Sequence, residues 1–154
     1  MRPEQKQKFI TMADIFHGFI IKAPASKVFD AMATSGGLEK WWTKKSSGKP
    51  AMGEEYALGF GPDYNWKAIV SKYVPGKEFE LQMTTSDPDW EGTRVGFQVN
   101  EKRGVSQIKF YHQGWPTVNE HYRISTYCWA MYLRVLKRFL EKGEEVPYES
   151  RLDV

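Results

Sequence analysis

Five consecutive stretches with a two-residue hydrophobic period, followed by one long stretch with a helical period, constrain the fold of this 154-residue chain most tightly. The period-two stretches are Glu54–Phe60, Asn65–Val74, Glu78–Thr85, Gly92–Lys102 and Val105–Gln113. Turn chemistry separates them at Gly61-Pro62-Asp63, Pro75-Gly76, Asp87-Pro88-Asp89 and Arg103-Gly104, where glycine, proline and aspartate adopt or pre-set turn dihedrals. Short connections imply antiparallel hairpins in a meander. Phe79-Leu81-Met83, Val95-Phe97-Val99 and Ile108-Phe110-His112 alternate with polar residues such as Glu80, Gln98 and Lys109, so one face of the sheet is covered and the other wet.

The helical period runs from about Val118 to Lys142. One stripe reads Ile124, Cys128, Met131, Val135 and Phe139. An adjacent one reads Trp129, Leu133, Leu136 and Leu140. Together they make a wide apolar face on a helix of roughly 20 residues, long enough to cross a sheet. Gly143 ends it. Upstream, Ala13–Lys22 reads as a further strand. Pro24–Ala33 reads as a short helix with Pro24 at its first position, and Ser35 is expected to cap a second one through Leu38–Trp42. Lys44–Gly53 reads as a polar loop. The order is strand, two short helices, five strands, long helix. The economical packing is an α+β helix-grip fold, a curved antiparallel sheet wrapped around the long C-terminal helix. The expected domain is 13–142, with tails at 1–12 and 143–154.

Several function classes are disfavoured by what the chain contains. Its 22 basic and 19 acidic residues leave a net charge of +3, and the basic residues form no stripe, so no nucleic-acid partner is expected. No apolar run reaches the roughly 18–20 residues of a membrane span. The N-terminus resembles no signal peptide, and the single cysteine, Cys128, fits a reducing compartment. The expected location is the cytoplasm. Metal-ligand spacing, phosphate-loop and nucleophile-elbow patterns are not found, so no metal, cofactor or catalytic residue is assigned. Cys128 is read as a small hydrophobe on the helix stripe. His17 and His121 are read as surface or strand-end residues, and Trp90 as exposed or capping the barrel end.

The order of elements and several local sequences resemble the START/Bet v 1-like (SRPBCC) superfamily, and within it the AHSA1-like domain named after the activator of the Hsp90 ATPase. The resemblance rests on Ile21-Lys22-Ala23-Pro24-Ala25-Ser26-Lys27-Val28-Phe29-Asp30-Ala31, Leu38-Glu39-Lys40-Trp41-Trp42, Val74-Pro75-Gly76-Lys77 and His112-Gln113-Gly114-Trp115, with Trp129–Lys137 in the helix. It implies a deep cavity between sheet and long helix that accepts apolar or amphipathic small molecules. Hsp90 co-chaperones of this type carry a separate N-terminal Hsp90-binding domain. About 12 residues precede the first expected strand here, so Hsp90 is not the expected partner.

The function expected on these grounds is non-catalytic binding of a hydrophobic or amphipathic small molecule. Periodicity gives the inward set. Trp66 and Val70 come from one strand, Leu81 and Met83 from the next, then Phe97, Phe110 and His112. Trp129, Leu133 and Leu136 close the cavity from the helix, and Trp41 from the short helix. His112 is the one polar member. A cyclase or dehydratase using His112 as a proton-transfer group is one alternative. A partner-binding module related to Hsp90 activation is another.

Overall fold

The computed structural model describes residues 13–154, so the expected tail 1–12 lies outside the described residues. Seven strands form one antiparallel sheet: β1 (Ala13–Ile21), β2 (Lys45–Ser47), β3 (Glu55–Gly59), β4 (Asn65–Val74), β5 (Glu78–Thr85), β6 (Arg94–Lys102) and β7 (Val105–Trp115). Their order is β1-β7-β6-β5-β4-β3-β2. The meander is thus intact, and β1 closes it by pairing with β7. Two short helices, α1 (Ala25–Ala33) and α2 (Ser35–Leu38), follow β1, and the long α3 (Glu120–Lys142) covers the inner face. The architecture is the expected α+β helix-grip fold.

Helix ends obey the chemistry of unpaired backbone groups. Asn119 caps α3 by accepting from the Tyr122 N–H at 2.9 Å. Gly143 ends it with φ 67°, its N–H donating to Phe139, a left-handed conformation that glycine adopts without a Cβ penalty. α2 corrects the sequence reading. Thr34, not Ser35, is its cap, accepting from the Gly37 N–H at 3.0 Å, and the helix stops before Trp41 and Trp42. The extended backbone of Thr34 points its hydroxyl at the first turn, and Ser35 is already helical. A Cβ on Gly37 would stand 2.4 Å from the Asp30 carbonyl oxygen, so glycine lets α2 fold back against the end of α1.

Strand faces follow the two-residue period except where bulges intervene. Phe79, Leu81, Met83, Val95, Phe97, Val99, Ile108 and Phe110 are all buried. In β4, Val70 pairs with Leu81 but Lys72 pairs with Glu80, so Ser71 is an extra residue. The bulge turns Tyr73 inward against Phe29. Two further corrections concern polar segments. Lys44–Gly53 contains β2, a three-residue edge strand paired to β3. The segment after Gly143 is no free tail: it forms a 3-10 helix (Tyr148–Asp153) whose Arg151 is buried and donates to the carbonyls of Thr43, Glu39 and Val146.

On α3 the buried residues are Ser125, Trp129, Leu133, Val135 and Leu136. The second stripe therefore faces the sheet. Of the first, Val135 is buried with it and the rest lies on the flank, with Ile124 52% exposed. Helical spacing locates a face only to within a residue's width, and two overlapping apolar stripes leave its centre open. Glu80 also departs from the wet-face expectation. It is buried on the outer side of the sheet, where it accepts hydrogen bonds from Tyr111 (2.5 Å) and Ser71 (2.8 Å). Tyr111 reaches it by lying across Gly96, where a Cβ would be 2.5 Å from the Tyr111 hydroxyl oxygen.

Candidate functional site

The deep cavity expected between sheet and helix is closed. Its remaining space is about 20 Å³, bordered by Met32, Leu38, Leu81, Val95 and Phe97 among others. That is room for about one water. The physical reason is the aromatic content. Phe29 from α1 packs against Phe79 and Phe97, and Tyr56 packs against Phe79, with centroids 5.7–6.4 Å apart. Tyr56 is anchored by its hydroxyl, which donates to the Ala33 carbonyl at 2.6 Å. Large rigid rings from both layers meet and leave only this small gap.

A more open space lies under the N-terminal half of α3. A pocket of about 310 Å³ opens there, at the low end of the range for small-molecule sites. Trp42 follows α2, Phe60 follows β3, and Trp66 begins β4. The β5–β6 connection contributes Asp87 and Trp90. From α3 come His121, Ile124, Ser125, Cys128, Trp129 and Tyr132, and from the 3-10 helix Tyr148. Tyr64 and Ile124, each about half exposed, stand at the rim. Tyr148 is held by a 3.1 Å bond from its hydroxyl to the Phe60 carbonyl.

Trp90 is the residue the sequence placed least well. It sits in a turn between acidic neighbours yet is buried. Its ring packs against Trp66 (5.0 Å), Trp129 (5.7 Å), Trp115 (6.1 Å) and, edge-on, His112 (4.4 Å). The turn Asp87–Trp90 folds it inward: the Trp90 and Glu91 N–H groups both donate to the Asp87 carbonyl.

His112 lies behind this wall, fully buried. The indole N–H of Trp129 can only donate, and it meets His112 Nδ1 at 3.1 Å. The ring proton is therefore on Nε2, which donates to Thr93 Oγ1 at 2.8 Å, and Thr93 donates in turn to the Trp90 carbonyl. Burial, reinforced by His121, pushes the His112 pKa down to about 3. Both ring nitrogens are engaged, neither by a titratable partner. The geometry suits a structural pin, and the proton-transfer reading of His112 finds no second group here.

The expected ligand contacts divide into three groups. Trp66 and Trp129 line the open pocket. Trp41, Leu81, Phe97 and Phe110, with Trp129 again, surround the closed void. Val70, Met83, His112, Leu133 and Leu136 are buried in the packed core. Strand periodicity found the inner face correctly but carried no information on where the face is covered.

The other histidines also have roles. His17 is half-buried, its Nε2 3.3 Å from Thr126 Oγ1, and burial lowers its pKa. His121 pairs with Asp89 at 3.1 Å. Burial raises the Cys128 pKa and keeps its thiol protonated. Among the described residues no cluster of three or more His, Cys, Asp or Glu side chains could hold a metal ion, and no helix is long and apolar enough to cross a membrane.

Comparison with known proteins agrees with this architecture. Residues 22–141 match the model of the family described as activator of Hsp90 ATPase homolog 1-like protein. The chain belongs to that family. Its fold is that of the AHSA1-like branch of the START/Bet v 1-like domains. Among solved structures, the Aha1 dimer from Colwellia psychrerythraea is similar at 30% identity, with a TM-score of 0.77 over 86% of this chain and 98% of that one. Protein SSP2350 from Staphylococcus saprophyticus has a TM-score of 0.73 at 17% identity, covering 87% of this chain and 96% of its own. CalU16 from Micromonospora echinospora reaches 0.67 at 16% identity, over 91% and 83%. The last two share the fold alone. No curated protein matched in sequence. The family contains ligand-binding and polyketide cyclase-like domains, so membership fixes the scaffold and leaves the activity to the pocket.

Proposed function

We propose that this protein is a cytoplasmic binding module that holds a hydrophobic or amphipathic small molecule without chemical change, and that the molecule sits in the open pocket beneath the N-terminal half of α3. The observation that carries this reading is the pocket's wall: five buried or half-buried tryptophan and phenylalanine rings, with Tyr132 and Tyr148 beside them, around about 310 Å³ of space. Aromatic surface left facing an opening recovers its hydrophobic stabilisation when an apolar molecule covers it. Trp66 and Trp129 are the contacts that periodicity and the pocket have in common. The fully engaged His112 supports binding over proton transfer.

A thermal-shift and native mass-spectrometry panel of lipids, sterols and aromatic metabolites tests the proposal. At least one member should raise the melting temperature and bind one-to-one. The effect should vanish in Cys128→Phe, which fills the pocket from the α3 side. A panel without binders, or binding undiminished in Cys128→Phe, would contradict it.

A further inference from the structure

The five rings form a closed circuit. Trp42 neighbours Phe60 (5.4 Å), Phe60 neighbours Trp66 (5.1 Å), Trp66 neighbours Trp90 (5.0 Å), Trp90 neighbours Trp129 (5.7 Å), and Trp129 returns to Trp42 (5.1 Å). All five border the pocket. A cation seated in the pocket therefore has aromatic rings on several sides, and a ring attracts a cation that comes within roughly 6 Å of its centroid.

Among the described residues one charged group on the wall stands unpaired, and it is acidic. Asp87 is a half-buried carboxylate on the pocket, and among the described residues no ion pair or side-chain hydrogen bond engages it. Among the described residues the wall carries no lysine or arginine, and its only basic residue is His121, which is paired with Asp89. Two cations lie against Tyr148, but both are held elsewhere. Arg151 is fixed by the carbonyls of Thr43, Glu39 and Val146, and Lys44 stands 3.9 Å from Glu149. On a chain with net charge +3, this pocket is a local exception.

Building on the small-molecule reading above, we infer that the preferred occupant is an organic cation, an alkyl- or arylammonium whose charge sits among the five rings with Asp87 as counter-charge. A carboxylate ligand would meet the π faces and Asp87 with the wrong sign. A neutral molecule would gain burial but neither electrostatic contact.

Isothermal titration with two probes of equal shape separates charge from apolar burial: (3-hydroxyphenyl)trimethylammonium and 3-tert-butylphenol. The cation should bind at least about tenfold more tightly. Asp87→Asn should weaken the cation several-fold and leave the phenol unchanged, and Trp66→Leu should weaken both. Equal or tighter binding of the phenol overturns the cation inference and leaves the small-molecule proposal standing. Absence of binding by both probes overturns the inference as well, and the broader proposal is then decided by its own panel. An Asp87→Asn variant that binds the cation as the wild type does removes the counter-charge role and overturns the inference as stated.

Discussion

The two ends of the inner face are built from the same residue types and do opposite things. At one end Phe29, Tyr56, Phe79 and Phe97 interlock and leave about 20 Å³. At the other, Trp42, Phe60, Trp66, Trp90 and Trp129 surround about 310 Å³. The difference is in what covers the sheet. The closed end lies under α1, whose Phe29 plugs the space. The open end is roofed by the first turns of α3 and walled by two hairpin connections and the 3-10 helix. Trp42 and Trp129 border both spaces and form the partition between them. Aromatic composition thus becomes core or binding wall according to whether a second layer arrives to interdigitate.

The largest expected effect separates the two ends by stability. Phe97→Ala removes a ring from the closed end and should cost about 3–5 kcal/mol. Trp66→Ala, on the open wall, should cost no more than about 2 kcal/mol, because truncation there enlarges an existing space. Urea denaturation of both variants checks this. Equal losses would mean that the open end is as tightly packed as the closed one.

A second effect probes the partition through pH. His112 is neutral in both folded and unfolded states above its ordinary pKa of 6.5 and contributes no pH dependence there. As pH falls below 6.5, the unfolded chain takes up a proton that folded His112 refuses until about pH 3. Stability should therefore fall with decreasing pH at about 1.4 kcal/mol per unit in that window. His17, also lowered by burial, adds a loss of the same sign. His112→Gln keeps a donor and an acceptor in place and removes the titration. Between pH 6.5 and 5 it should lose about 2 kcal/mol less than the wild type. An unchanged pH dependence would place His112 in contact with solvent.

A third comparison is smaller. Trp129→Phe leaves the His112 Nδ1 acceptor buried without its donor. In Trp115→Phe the lost indole N–H is one that has no acceptor among the described residues. Trp129→Phe should be the more destabilising by about 1 kcal/mol or more. The reverse order would show that the Trp129–His112 bond does not organise the partition.

Which parts of this comparison were legible in the sequence follows from the reach of each signal. Periodicity is local, so it located six strands, the inner face and the long helix. It missed β2, since Lys45-Ser46-Ser47 has no apolar alternation and pairs only at the sheet edge. The 3-10 helix escaped because its anchor, Arg151, binds carbonyls more than 100 residues away in the chain. Trp66 and Trp129 were found as pocket residues because they lie on regular elements. Trp42, Phe60 and Trp90 were not, because each sits in a connection whose path only the packed structure defines. One weak signal was present: a tryptophan between two acidic residues in a turn is costly to expose, and Trp90 could have been read as an inward plug on that ground.

Room for a small molecule exists at the open end and not between sheet and helix. The most direct measurement is an NMR titration with a binder from the panel, following tryptophan indole N–H and methyl signals together. Shifts are expected at the indoles of Trp42, Trp66 and Trp90 and at the methyls of Ile124, with Leu81 and Val95 unmoved. Shifts centred on Leu81 and Val95, with Trp66 and Ile124 silent, would contradict it by showing that the ligand opens the closed end instead.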